Sequence, residues 1–161
     1  MRFVHLTIAA SLLSVPAQAE WRRLDTKDPI NDKITTSIYV DSTGEAGTES
    51  NAMFGVTCNP MKQLFFVASF SRRLDPASGD TVWMLYRVDD NRAIGGNWSV
   101  RDDPVVTLPY RKNIKIDFAG GTKLVVRATG QKRGPSELTA LFDISGIDQA
   151  FADIEAACAG S

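Results

Sequence analysis

The segment SGIDQAFADIEAAC, residues 145–158, decides how this chain folds, because the hydrophobic period changes there from two to 3.6. Its apolar residues are spaced i, i+3, i+4, i+7 and i+11 and share one helical face: Ile147, Ala150, Phe151, Ile154 and Cys158. Ser145 is the expected N-cap, Asp148 completes a capping-box-like pair, and Gly160 lies just past the end. These signals predict a C-terminal amphipathic helix whose apolar face, including Cys158, packs on the rest of the protein.

The two cysteines of the chain, Cys58 and Cys158, allow only one intramolecular bridge once the protein is exported. A redox-active pair would more usually form a Cys-x-x-Cys motif, which is absent. We therefore predict a structural disulfide between Cys58 and Cys158. Because Cys158 lies on the apolar face of the predicted helix, this bridge would tie the helix to an early strand.

Upstream of the helix, from Thr36 onward, the chain consists of short runs rich in β-branched and aromatic residues, separated by turn signals. The predicted strands are Thr36–Asp41, Met53–Cys58, Gln63–Phe70, Thr81–Val88, Asn113–Phe118, Thr122–Thr129 and Glu137–Phe142, with short edge strands near Asn97–Arg101 and Val105–Leu108. Many short strands followed by one helix predict a mainly β fold, either an antiparallel β-sandwich or a partly open barrel, with the C-terminal amphipathic helix closing one side.

The sequence also predicts the conformation of three segments outside the predicted strands. Arg72–Asp80 reads as a hairpin turn, so that Thr81–Val88 pairs back on the strand before it. Ala119-Gly120-Gly121 has the composition of a tight hairpin turn. Near the start of the mature chain, Asp28-Pro29 could begin a short helical turn through Lys33, with Asp28 as its cap.

The first nineteen residues have the pattern of a signal peptide. Arg2 supplies the positive charge, Val4–Val15 form an apolar stretch, and Ala17-Gln18-Ala19 gives a small-x-small cleavage pattern. The apolar stretch is shorter than the roughly 20 residues that span a membrane, and no later stretch is long enough to do so. We predict cleavage after Ala19, a periplasmic or secreted product without a transmembrane segment, and one disulfide-stapled β domain over residues 20–161.

The mature chain would contain no histidine, because His5 is the only one in the sequence. Ser-His-Asp and Cys-His catalysis and every metal site that needs a histidine ligand are therefore excluded. Removing Arg2 from the 18 basic residues leaves 17 against 19 acidic ones, which gives no electrostatic reason to expect nucleic acid as a partner. We predict no catalytic residues, no metal and no cofactor.

The candidate partner-binding residues are Arg87, Asp89 and Trp98, in and beside the stretch Asp89–Pro109 that core patterning explains least. Loops on a β scaffold often carry binding residues, and Trp and Arg are frequent interface anchors. Arg87 and Asp89, two residues apart on one strand, could equally form an ion pair. Trp98 could equally be buried, whereas Trp83 beside Met84 is expected in the core or at its margin.

Several landmarks together resemble the type VI secretion-associated TagO/VasI family. The residues that carry the resemblance are Trp21, Asp28-Pro29-Ile30-Asn31-Asp32, Cys58, Tyr86-Arg87-Val88-Asp89, Trp98, Gly121 to Arg127 (GTKLVVR), Phe142 to Ile147 (FDISGI) and Cys158. The resemblance spans most of the mature chain and implies a small periplasmic accessory protein. It supplies no catalytic chemistry.

The leading hypothesis is an exported, non-enzymatic accessory or binding protein of the bacterial envelope, with an envelope protein as partner and an association with a type VI secretion system. The alternative is a periplasmic inhibitor or ligand-binding module. A third reading is a cell-wall hydrolase that uses carboxylates from the acidic doublets Asp89-Asp90 and Asp102-Asp103.

Overall fold

The computed structural model describes residues 19–74, 80–102, 104–129 and 137–160 of the chain. The strands are β1 (Arg22–Lys27), β2 (Ile34–Asp41), β3 (Met53–Cys58), β4 (Leu64–Ser69), β5 (Thr81–Val88), β6 (Ile94–Asp102), β7 (Val105–Pro109), β8 (Lys123–Thr129) and β9 (Glu137–Asp143), and the helices are α1 (Lys112–Phe118) and α2 (Ile147–Gly160). The prediction of a mainly antiparallel β fold with a C-terminal helix is confirmed.

All nine strands belong to one antiparallel sheet, in the order β1-β2-β3-β4-β7-β6-β5-β8-β9. The sheet curls until its two sides meet, because the segment that follows β2 reaches β9. The amide of Thr43 donates to the carbonyl of Leu141 at 2.8 Å, and the amide of Glu49 donates to the carbonyl of Thr139 at 2.7 Å. The result is a partly closed barrel from which β1 projects as an additional strand.

The interior of the barrel is filled by alternate side chains of the strands, as the period of two in the sequence requires. In β5, Val82, Met84, Tyr86 and Val88 are all buried. At the centre, the Phe118 ring stacks on the rings of Phe54, Phe66 and Tyr86 with centroids 5.1–5.4 Å apart. Such ring pairs stabilise a core beyond the area that they bury.

Helix α2 closes the barrel with the predicted face. Its buried residues are Ile147, Ala150, Phe151, Ile154 and Cys158. The Cys58–Cys158 disulfide is confirmed and joins the end of β3 to α2, with the two Cα atoms 5.6 Å apart. The helix is therefore held on the sheet both by its apolar stripe and by a covalent bond.

The predicted capping pair at the start of α2 is wrong. Ser145 precedes Gly146, which lies in the left-handed region at φ 82°, and the Gly146 carbonyl accepts from Ala150 at 3.2 Å. The Asp148 carboxylate turns away and accepts from the amide of Gly120 at 3.0 Å. Asp148 thus ties the helix start to the loop after α1.

One predicted strand is a helix. Asn113–Phe118 alternates like a strand, but it forms α1, because Ile114 and Phe118 are four residues apart and both face the core in a helix. Phe118 is fully buried, whereas Ile116, between them, is 65% exposed. The sequence Ala119-Gly120-Gly121 accordingly ends a helix and does not join two strands.

Three other expectations about the sheet are wrong. Strands β6 and β7 lie in the middle of the sheet and not at its edge, and β5 pairs with β6 and β8 and not with β4. The segment after Ala19 forms β1, which was not predicted, because four of its six residues are charged. The Asp28 side chain does cap a tight turn, where its Oδ1 accepts from the amide of Ile30 at 2.8 Å.

The proposed signal peptide, apart from Ala19, lies outside the described residues, as do Asp103 and residues 75–79 of the Arg72–Asp80 connection. Among the described residues, neither helix is long and apolar enough to cross a membrane.

Candidate interaction surface

Trp98 is not at the surface, so its assignment as a partner-binding residue is wrong. Strand β6 alternates, and Trp98 and Val100 point into the barrel while their neighbours point outward. The Trp98 side chain is 1% exposed and lies opposite Val82 of β5. The neighbouring pair Gly95-Gly96 favours a surface position for Trp98 in the sequence, but both glycines belong to β6, a central strand.

Asp89 ends β5 in a left-handed conformation, at φ 48°. Its carboxylate accepts from the Thr122 hydroxyl at 2.8 Å and from the Lys123 amide at 2.8 Å. Burial opposes ionisation, but these bonds from Thr122 and Lys123 outweigh it and lower the pKa of Asp89. Asp89 therefore fastens the end of β5 to the start of β8.

Arg87 lies on the outer face of β5, with an exposed side chain. Because Asp89 has left the strand geometry and is bonded to β8, the alternative of an Arg87–Asp89 ion pair is wrong. No salt bridge of Arg87 is found within the part of the chain that the structure describes. Arg87 therefore remains available as a contact residue.

Trp83 and Leu85 precede Arg87 on the same outer face, since all three alternate with the buried residues of β5. Trp83 is 47% exposed, so of its two expected positions, in the core or at the margin of the core, the first is wrong. The indole lies across Gly95 of β6, where a Cβ atom would come within 2.6 Å of its Cζ2 atom. The absence of a side chain at Gly95 thus lets a large aromatic ring lie against the sheet and face outward.

The neighbouring strands extend this surface. Asn97 of β6 lies opposite Trp83, and Arg127 of β8 lies opposite Leu85. Arg127 is held by the Thr139 hydroxyl, which accepts from its Nε at 3.2 Å, and by Glu137 at 3.4 Å. We define the Trp83 surface as Trp83, Leu85, Arg87, Asn97 and Arg127.

The sequence contains a signal for this surface that the first interpretation missed. Positions 82, 84, 86 and 88 are all apolar or aromatic. The alternate set, positions 83, 85 and 87, includes a charged residue, Arg87. Such a pattern assigns Trp83 to the face that carries Arg87, which is the outer one. Grouping Trp83 with its chain neighbour Met84 was the error, because adjacent residues in a strand point to opposite faces.

A second outer feature is an open groove of about 190 Å³ over β1 to β4 and β7. It is lined largely by apolar and hydroxyl side chains, among them Leu24, Tyr39, Met53, Val67 and Val105. Of the almost continuously apolar predicted strand Gln63–Phe70, Val67 and Ser69 face outward and line this groove. We refer to this feature as the Leu24 groove.

Two carboxylates that accept from tyrosine hydroxyls, those of Asp117 and Glu155, have structural roles. The Tyr86 hydroxyl donates to Asp117 at 2.8 Å, and the Tyr110 hydroxyl donates to Glu155 at 2.7 Å. Burial, together with these bonds, raises the pKa of both tyrosines well above the ordinary value, so both hydroxyls stay protonated at neutral pH. They tie helices α1 and α2 to the barrel.

Lys115 and Arg72 also hold carboxylates in place. A hydrogen bond from Lys115, at 2.8 Å, is the main cause of the lowered pKa of Glu155. Arg72 likewise lowers the pKa of the buried Glu49, to which its Nε donates at 3.0 Å. In the part of the chain that the structure describes, no three His, Cys, Asp or Glu side chains come together as metal ligands. The absence of a cofactor stays a prediction.

Comparison with known proteins extends to the fold alone. No family model matches the chain, and no curated protein matches it. Among solved structures, the chain is similar to the crystal structure of invasion associated protein B from Bartonella henselae, with a TM-score of 0.56 and 13% sequence identity. The match covers 88% of this chain and 95% of that one, so the fold is shared over most of both chains.

Proposed function

We propose that this chain is an exported binding protein of the bacterial envelope that captures a protein partner on the Trp83 surface. The observation that carries the proposal is the half-exposed indole of Trp83, which lies over Gly95 in the middle of a hydrogen-bonded sheet. A ring fixed in this way loses little conformational freedom when a partner covers it. Tryptophan and arginine are also the residues that most often dominate the energy of protein interfaces.

The charges around the indole define the chemistry of the partner. Arg87 and Arg127 flank the apolar pair Trp83 and Leu85, and only Arg127 is neutralised by a carboxylate, that of Glu137. The surface is therefore apolar at its centre with an excess of positive charge at its margin. The Trp83 surface therefore fits a partner protein that presents an apolar side chain beside an acidic one. The acidic side chain would form an ion pair with Arg87.

The envelope location in this proposal rests on two features. The first nineteen residues have the pattern of a signal peptide. The Cys58–Cys158 disulfide is of the kind that forms and persists in oxidising compartments. A role with a type VI secretion system is part of the proposal through the resemblance to the TagO/VasI family, and the genes beside this one test it. Genes for a secretion apparatus would support that role, and their absence from every genome that carries the gene would contradict it.

Site-specific photocrosslinking tests the binding surface. A photoreactive amino acid replaces Leu85, at the centre of the Trp83 surface, and a matched variant carries it at Ile116, an exposed apolar residue of α1. The proposal predicts a discrete crosslinked protein from envelope extract with position 85 and none with position 116. Identical products from both positions, or none from position 85, would contradict it. A crosslink to a small molecule at position 85 would favour the ligand-binding alternative.

A further inference from the structure

Strand β1 leaves one edge of the sheet open. Its six residues pair with β2 along their whole length, and all six are exposed. The opposite edge, β9, is covered by backbone hydrogen bonds from Thr43 and Glu49. Within the described residues nothing covers β1 in the same way. An open edge presents unpaired amide and carbonyl groups that can pair with another strand.

The side chains of β1 divide between the two faces of the sheet. Leu24 lines the groove on the outer face, and Arg22 and Thr26 share that face by alternation. Asp25 accepts from the hydroxyl of the buried Thr36 at 2.7 Å, so Arg23, Asp25 and Lys27 belong to the inner face. Residues that lie directly opposite one another in two paired strands must be on the same face.

This condition limits how β1 can pair with β1 of a second copy. A two-fold axis perpendicular to the sheet places the outer faces of both copies on the same side. For residues of the same face to lie opposite one another, the axis must run midway between the two copies of one residue. We name each possible axis by that residue. An axis at Arg23 sets two arginines opposite each other. An axis at Asp25 sets two aspartates together and Arg23 against Lys27. Like charges directly opposite are destabilising.

The axis at Leu24 gives the longest complementary pairing. An axis at Thr26 would also set Asp25 opposite Lys27, but it engages only three residues of β1, because Leu24 would then lie opposite Asp28, beyond the end of the strand. With the axis at Leu24, Arg23 lies opposite Asp25 of the partner subunit, Asp25 lies opposite Arg23 of the partner subunit, and the two Leu24 side chains meet on the outer face. In a single chain, Arg23 and Asp25 already pair with each other at 3.0 Å on an exposed surface. Such an exposed pair contributes little, so exchanging it for two pairs between subunits costs little.

We propose that this chain forms a two-fold symmetric dimer by antiparallel pairing of β1 with β1 of a second copy, centred on Leu24. The dimer joins two sheets into one and covers part of the Leu24 side chain, which is 50% exposed in the single chain. The pairing engages five residues of each β1, Arg22–Thr26, and is smaller than a standard interface, so the dimer dissociates on dilution. Strand β5, which carries Trp83, is six strands away from β1 in the sheet, so both copies keep the Trp83 surface open.

Charge exchange at Arg23 and Asp25 tests the proposal by sedimentation velocity over a wide range of protein concentration. Arg23→Asp and Asp25→Arg each set like charges opposite at two places, and each should weaken dimerisation roughly tenfold or more. An equimolar mixture of the two variants should form a mixed dimer, because each chain then supplies the charges that the other lacks. The double variant Arg23→Asp/Asp25→Arg should dimerise like the wild type.

Arg92→Asp, an equal change of charge at an exposed residue of the β5–β6 turn, is the matched control and should leave dimerisation unchanged. Circular dichroism and thermal melting of each variant establish that it is folded. A wild-type chain that remains monomeric at every concentration would overturn the proposal. So would a dimer that neither single variant weakens, or one that the mixture of variants fails to restore.

Discussion

Removal of the disulfide should cost this protein a large part of its stability. The bridge joins residues 100 apart and encloses every strand from β4 to β9. In the chain-entropy model, closing a loop of this length restricts the unfolded chain by about 4.7 kcal/mol. The free energy of unfolding of an ordinary protein is about 5–15 kcal/mol. The stabilisation from the bridge therefore equals about a third of this free energy for the most stable proteins and nearly all of it for the least stable.

The measurement is urea unfolding of the oxidised wild type and of the double variant Cys58→Ala/Cys158→Ala, followed by linear extrapolation. We expect the double variant to lose about 3–5 kcal/mol, and the reduced wild type to unfold at nearly the same urea concentration as the variant. Both cysteines are buried, so alanine is tolerated in their place better than a polar residue. A loss below about 1 kcal/mol, or two free thiols in the native protein, would refute the reasoning.

Three other predictions concern single residues. Trp98→Ala should lower the free energy of unfolding by about 3–5 kcal/mol, measured with urea, and leave partner capture per folded molecule unchanged, because Trp98 is in the core. Arg72 lowers the pKa of Glu49 in the folded state, so the stabilisation present above the ordinary pKa of 4.5 is lost as pH falls through 4.5 toward the folded value. Glu49→Gln should flatten this acid decline in unfolding free energy, and an unchanged decline would contradict the assignment. Gly95→Ala should displace the Trp83 indole, shift its fluorescence and weaken capture without a comparable loss of stability, because the new Cβ would meet the ring at 2.6 Å.

The elements with strong periodicity could be predicted from the sequence. Met53–Cys58 and Thr81–Val88 have the predicted bounds, and α2 buries the predicted face. The disulfide followed from the presence of only two cysteines in a chain with an export signal, and the helical stripe indicated that the bridge ties α2 to the sheet. These features depend on local spacing and on the chemistry of a single cysteine pair.

The elements that failed depend on contacts distant in sequence. Asn113–Phe118 fits a strand or a short helix equally well, and the stacking of Phe118 in the aromatic core favours the helix. Strand β1 is too charged to be recognised by hydrophobic pattern, and it forms because β2 offers a ladder of hydrogen bonds. The position of β6 and β7 in the middle of the sheet is a property of topology that no local pattern encodes.

The candidate site was predicted only in part. Arg87 lies on the exposed surface that the sequence had suggested, but Asp89 and Trp98 have structural roles. The neighbouring pair Gly95-Gly96 favoured a surface position for Trp98, which is buried, whereas Trp83, expected in the core or at its margin, is half exposed. In the structure, Gly95 instead provides the flat support for Trp83.

Capture of the envelope partner by wild-type protein, Trp83→Ala and the control Ile116→Ala tests the central claim most directly. Both substituted side chains lie on the outer surface and not in the core, so all three proteins should fold, and capture is compared per folded molecule after thermal melting. If Trp83 anchors the interface, Trp83→Ala should weaken capture by about 2 kcal/mol or more, roughly 30-fold in Kd, and Ile116→Ala should bind like the wild type. Equal capture by all three proteins would show that the partner binds elsewhere.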